Sequence, residues 1–184
     1  MQIVIGFIGV FAIAAFGFMA DQPAAPPTVV EQVEIEQYMG TWYAVASIPT
    51  TFERDCVRGT TATYELLEDG KVRVTNTCTR EDGTSFEAVG RAWIPNPDEP
   101  AKLKVSFVSL FGKWLFGGDY WILELDQDYR YAVVGHPKRR YGWILSRTPE
   151  IPEIQLQGIF DRLEEAGYNR VSFRRIDQTE PESF

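Results

Sequence analysis

Thiols and imidazoles carry much of the covalent and metal chemistry of proteins, and this chain holds few of them: Cys56, Cys78 and His136. A zinc site draws its ligands from clusters of cysteine, histidine and carboxylate at short spacing. Two cysteines far apart and one isolated histidine do not supply such a set, so neither a metal nor a cofactor is expected. A catalytic histidine needs a nucleophile and an orienting acid within reach. His136 ends an apolar run just before Pro137 with neither beside it. It reads as a surface or turn residue, and no catalytic residue is assigned. An even cysteine count in an exported chain points to a disulfide. The bridge would close a loop of roughly 20 residues and contribute about 3 kcal/mol.

The remaining chemistry is non-covalent. Phe107, Phe111, Trp114, Phe116, Tyr120 and Tyr141 concentrate aromatic surface in one region, and the stretch 110–118 is far more apolar than a solvated connection needs. Gathered at one rim, such rings form a site for a hydrophobic or amphiphilic small molecule. The competing expectation is that they simply fill a core. The run Lys138-Arg139-Arg140 reads as a solvated turn, with contact to anionic headgroups as its functional alternative.

These residues must be held by a framework, and composition indicates which kind. At 184 residues the chain is one domain with a full core. Aromatics at 14%, with 15 glycines and 11 prolines, fit many short strands and tight turns, an all-β class. A net charge of -8 argues against nucleic acid. Residues 1–20 carry no charge and are apolar enough for a signal sequence or an uncleaved membrane anchor. Either exports the domain, and membrane association through residues 1–20 follows from the second. Residues 21–33, with Pro23, Pro26 and Pro27, read as an extended linker.

From there the pattern alternates. Gly40 turns the chain into a strand from Thr41 to Ile48, and Trp42 suits the floor of a barrel. Trp42, Ala44 and Ala46 share one face. Further strands run from Val57 to Leu67, Val72 to Thr79, Thr84 to Ile94, Lys102 to Val108, Tyr120 to Leu125, Arg130 to His136 and Tyr141 to Arg147, joined by turns such as Asp69-Gly70 and Asp82-Gly83. Phe86, Ala88, Gly90 and Ala92 share a face whose small residues leave room inside. Eight meandering strands close on themselves into a barrel. Tyr120 to Leu125 is apolar on both faces, so either Tyr120 or Trp121 lines the interior, and Glu124 favours Trp121. Leu156, Ile159, Phe160 and Leu163 then change to helical spacing, ended by Gly167. Asn169 to Ile176 reads as a short closing strand and 177–184 as a disordered tail.

The order of elements and three segments carry a resemblance. Tyr38-Met39-Gly40-Thr41-Trp42-Tyr43, Asp128-Tyr129-Arg130-Tyr131-Ala132 and Trp143-Ile144-Leu145-Ser146-Arg147-Thr148-Pro149 resemble the three motifs of the lipocalin family. The likeness runs over residues 34–176. Phe52-Glu53-Arg54, Thr61-Ala62-Thr63-Tyr64 and Leu103-Lys104-Val105-Ser106-Phe107 resemble in particular the bacterial outer-membrane lipocalin and apolipoprotein D-like group.

The resemblance implies an eight-stranded antiparallel up-and-down calyx with one C-terminal helix on its wall and a short ninth strand. It implies that Gly40, Trp42, Tyr129 and Arg147 are structural, with Arg147 over the Trp42 ring. It favours Tyr120 facing inward and a Cys56–Cys78 bridge between the second and third strands. The Asp69-Gly70 turn does not set these cysteines opposite each other, so a bulge or long loop must absorb the offset. Unlike bacterial lipoproteins of that group, the chain has no cysteine after its apolar segment to acylate. The function implied is an exported carrier of a fatty acid or lysophospholipid, acting in membrane lipid transport or maintenance in the periplasm, outer membrane or cell envelope, and not an enzyme. The alternative is a lipocalin-fold enzyme acting on a lipid or carotenoid, similar to the isomerase or de-epoxidase members. Oligomeric state, a homodimer included, stays open.

Overall fold

The computed structural model describes residues 25–179. The apolar segment 1–20 and the end of the tail, 180–184, lie outside the described residues. Among the described residues no helix is long and apolar enough to cross a membrane. In chain order the elements are α1 (Ile35–Tyr38), β1 (Gly40–Ser47), β2 (Cys56–Leu66), β3 (Val72–Arg80), β4 (Ser85–Trp93), β5 (Lys102–Ser106), β6 (Val108–Leu110), β7 (Lys113–Leu115), β8 (Gly118–Leu125), β9 (Tyr131–Gly135), β10 (Gly142–Ser146), α2 (Glu153–Glu165) and β11 (Arg174–Arg175).

Eight of these strands form the barrel. β1 to β5 and β8 to β10 pair antiparallel in sequence order, and β10 returns to β1 through Tyr43↔Ser146 and Ala44↔Leu145, so the sheet closes on itself. Period-two alternation then sorts side chains into two cores. Trp42, Ala62, Tyr64, Val74, Leu103, Ile122, Val134 and Leu145 meet inside the ring. Val133 and Ile144 point the other way and receive Leu156, Ile159, Phe160 and Leu163 of α2. That helix forms where its spacing predicts. It stops where Gly167 takes a positive φ of 83° and Tyr168 N–H reaches back to Leu163 O.

The β1 alternation departs from expectation at its upper end. A bulge between Ala44 and Ala46 turns Ala46, expected on the face of Trp42, to the helix side together with Val45. The extra residue bends the strand so that one wall serves both cores.

The closed end gathers the structural motifs. The Arg147 guanidinium carbon lies 3.8 Å from the Trp42 ring centroid, and its nitrogens donate to Thr41 O and Gln37 O at 3.0 and 2.7 Å. Trp42 is fully buried and donates its indole N–H to Tyr38 O at 2.8 Å. Gly40, at φ 90°, leaves only 3.4 Å between an added Cβ and the Arg147 guanidinium. The Tyr129 hydroxyl accepts from Glu34 N–H at 2.8 Å. Residues expected to act as a spacer help close this end: Val29, Val30 and Val33 pack on the inner core, and Val30 N–H donates to Ile122 O.

Three further expectations are corrected. The stretch 110–118, expected as a loop, carries β7, which pairs with β6 as a separate hairpin through Val108↔Leu115 and Leu110↔Lys113. Asn169 to Ile176 is not a continuous strand. Its first part is a 3-10 turn over Arg170–Ser172, capped by the Asn169 side chain accepting from Val171 N–H, so only Arg174–Arg175 pairs with β1. Residues 177–179, expected to be tail, are stitched into the wall where β1 and β2 part. Gly59 N–H donates to Asp177 O, and Gln178 Nε2 donates to both Ala44 O and Thr60 O.

Candidate ligand-binding cup

The inner face of the barrel changes character along its axis. At the closed half, Trp42, Val72, Val74, Ala92, Leu103, Ile122 and Leu145 are all buried. The Tyr120 hydroxyl lies 2.9 Å from that of Tyr38 and 2.8 Å from that of Tyr64, which links three phenols across the interior. Burial pushes Tyr64 up to about 12, and pushes Tyr38 and Tyr120 up as well. The three stay neutral and satisfy one another, so they seal the floor without a charge.

Toward the mouth, inward residues of the same strands become accessible. Asn76, Phe86, Ala88, Val105 and Trp143 are half-buried, and Phe107 and Tyr141 are 40% and 39% exposed. These positions alternate with outward ones, so together they make up the less covered inner face above the phenol floor, the candidate cup. The Phe107 ring lies against Gly90, where an added Cβ would sit 2.7 Å from it; glycine is what admits the ring. Tyr141 stacks on Trp143 at 6.2 Å, and the Trp143 indole N–H donates to Glu53 Oε1 at 3.0 Å. Glu53 in turn caps its own 3-10 turn through Thr50. That chain of contacts fixes one side of the rim.

His136, expected as a surface or turn residue, opens the turn before Arg139 but is buried at this rim, edge-on to Tyr141 at 5.4 Å. Its Nδ1 accepts from Lys138 N–H at 3.0 Å, and its Nε2 lies 3.9 Å from Asp119. Burial pushes the imidazole below its ordinary range, against the pull of Asp119. Cys56 and Cys78 form a disulfide with Cα atoms 5.6 Å apart. Two shifts in the β2–β3 register, between Cys56 and Arg58 and between Arg58 and Thr61, absorb the offset.

Of the aromatic residues singled out in the sequence, Phe107 and Tyr141 border the cup, while Tyr120 belongs to its floor. Trp121 faces outward, opposite Lys102 with the ammonium 4.9 Å from its ring, because the residue pairs Lys102↔Trp121 and Leu103↔Tyr120 share faces across β5 and β8. Trp114 lies on the outer wall against Arg91, at 5.9 Å. Phe111 and Phe116 project to solvent at 95% and 87% exposure. They leave the interior because the hairpin folds back over the buried Ser106, whose hydroxyl bonds to Val108 O and Leu115 O. Sequence reasoning did not assign Asn76, Trp143, Tyr38 or Tyr64 to the interior. Alternation with Val72 and Val74, and with Leu145, would have placed the first two inside.

Two surface clefts, of about 690 and 410 Å³, flank the C-terminal segment, and among the described side chains none that lines them is aromatic.

The sequence pattern of the lipocalin-like domain family matches residues 33–178, the span of the closed barrel and its helix. The chain belongs to the lipocalins. Among curated relatives, this lipocalin is similar to temperature-induced lipocalin-1 of Arabidopsis thaliana, 39% identical over 84% of this chain and 86% of that one. It is similar also to the outer membrane lipoprotein Blc of Escherichia coli K12, 37% identical over 91% and 93%. Apolipoprotein D of Rattus norvegicus is 37% identical over 68% and 67%. Among solved structures, insecticyanin from the tobacco hornworm Manduca sexta superposes with a TM-score of 0.66 at 22% identity, covering 86% of each chain, which is a likeness of fold. Membership of the family is consistent with binding a small hydrophobic ligand.

Proposed function

We propose that this lipocalin is an exported carrier that holds one fatty acid or lysophospholipid in its cup, acyl chain down and head group at the rim, and serves membrane lipid transport or maintenance in the cell envelope. The observation that carries the reading is the accessible inward face from Asn76 to Trp143, set above a neutral, self-satisfied floor. Each methylene buried there contributes about 0.8 kcal/mol, which is enough to hold an amphiphile without covalent chemistry. Both cysteines are committed to the disulfide, which speaks against a thiol-dependent enzyme on this barrel. The envelope assignment draws on the printed name of the Blc relatives, outer membrane lipoprotein.

A membrane role is supported by the mouth. The β6–β7 hairpin exposes Leu110, Phe111 and Phe116 beside Lys113, and the neighbouring turn exposes Lys138 and Arg140. Aromatic and aliphatic side chains flanked by cations suit the interface of an anionic bilayer. Titration of the delipidated protein with a fluorescent fatty acid tests the carrier reading. Phe107→Ala and Trp143→Ala should each weaken uptake about tenfold, the loss of roughly 1.4 kcal/mol. Unchanged affinity in both variants would remove the cup as the binding site.

A further inference from the structure

We infer that the Asn76 amide is a hydrogen-bonding anchor part-way down the cup, and that the amphiphile this lipocalin prefers carries a polar group, a hydroxyl or an amide N–H, along its acyl chain. The inference rests on the carrier reading and narrows its ligand class.

Asn76 occupies the third inward position of β3. Val72 and Val74 precede it on that face, buried in the inner core, and Cys78 follows, buried by its disulfide. Asparagine is a poor strand former, and a valine here would have continued the apolar stripe. The residues opposite it are Ala62 on β2 and Ala88 on β4, whose methyl side chains offer it no hydrogen bond, and the residue as a whole is half-buried. Its Oδ1 is fully buried and has no protein partner. Among the described residues only one other buried side-chain atom shares that condition, Arg58 Nε, in the bulged stretch of β2 that bridges to Asp177.

A buried carbonyl oxygen without a partner is costly to maintain, and the cost is recovered when a ligand donates to it. The other polar groups of the interior are already engaged. The phenols of the floor bond one another, and Trp143 at the rim donates to Glu53. Asn76 therefore stands alone as unspent polar capacity between floor and mouth. The β3 end at Arg80 lies four residues beyond it, roughly 13 Å along the strand. A head group at the rim thus cannot reach Asn76, whereas a substituent along the chain can.

Displacement of a fluorescent fatty acid by stearic acid, and by stearic acids bearing one hydroxyl at successive chain positions, tests this. The native protein should bind one or two mid-chain isomers about tenfold more tightly than stearic acid, a difference of about 1.4 kcal/mol. Asn76→Leu should erase that advantage, read as the ratio of the two affinities within the variant, and Asn76→Ser should keep part of it. If no isomer surpasses stearic acid in the native protein, or if the advantage survives in Asn76→Leu, the inference is overturned while the carrier reading stands. The isomer series needs no variant to fold. Failure of every acid in the series to displace the probe would overturn both.

Discussion

The two ends of the barrel are made from the same strands and similar residue types, yet they treat aromatic side chains in opposite ways. At the closed end each ring has a partner: Trp42 lies under Arg147 and donates to Tyr38 O, while Tyr38, Tyr64 and Tyr120 share their hydroxyls. At the mouth, Phe107 and Tyr141 border accessible space, and Phe111 and Phe116 touch almost nothing. Apolar surface buried at one end contributes folding free energy. The same surface left accessible at the other is available for binding.

The contrast is sharpest for stability. Trp42→Ala should lower the unfolding free energy by about 4 kcal/mol, the range for a buried tryptophan truncated in a core, as measured by denaturant titration. An equal loss from Trp143→Ala would erase the distinction between floor and rim.

At the opposite extreme of exposure, Phe111→Ser combined with Phe116→Ser should leave the denaturation midpoint unchanged and should not weaken fatty-acid binding in solution. It should cut partitioning onto vesicles containing anionic lipid by at least tenfold, since tenfold needs only about 1.4 kcal/mol and the two rings together remove roughly 3–6 kcal/mol of burial at full insertion. Co-sedimentation indistinguishable from the native protein would remove the hairpin as a membrane element. Loss of self-association in light scattering would reassign it to a homodimer contact.

The smallest effect belongs to His136. Burial holds its imidazole neutral in the fold, so the unfolded chain takes up the proton first, near its ordinary pKa of about 6.5. Stability should therefore fall as pH drops below that value and level off below the lower folded pKa. His136→Gln should lack this dependence, so the native-minus-variant difference in stability, followed by thermal denaturation at each pH, should shrink as pH falls through that window. A difference that shrinks with rising pH would mean that the imidazole is instead held charged.

Much of this was legible because local rules decided it. Period-two alternation sets the strands, the spacing of Leu156, Ile159, Phe160 and Leu163 sets the helix, and Gly167 sets its end. Three well-separated segments supply Trp42, Tyr129 and Arg147 in the order that a closed barrel end needs. The rim was harder to read. Alternation does not say which face of an all-apolar strand is inside, so Tyr120 and Trp121 were separable only through the partners Leu103 and Lys102 across the ladder. Nor does local sequence mark a bulge, and one inserted residue carries Ala46 from one core to the other.

The sequence by itself determined the barrel, the Trp42–Arg147 closure, the disulfide and the family, because each follows from short-range periodicity or from motifs whose residues need one another. Only the tertiary structure decided which aromatic side chains reach the cup. The hairpin of β6 and β7 folds back on Ser106, whose hydroxyl bonds to Val108 O and Leu115 O, and that packing sends Trp114, Phe111 and Phe116 outside.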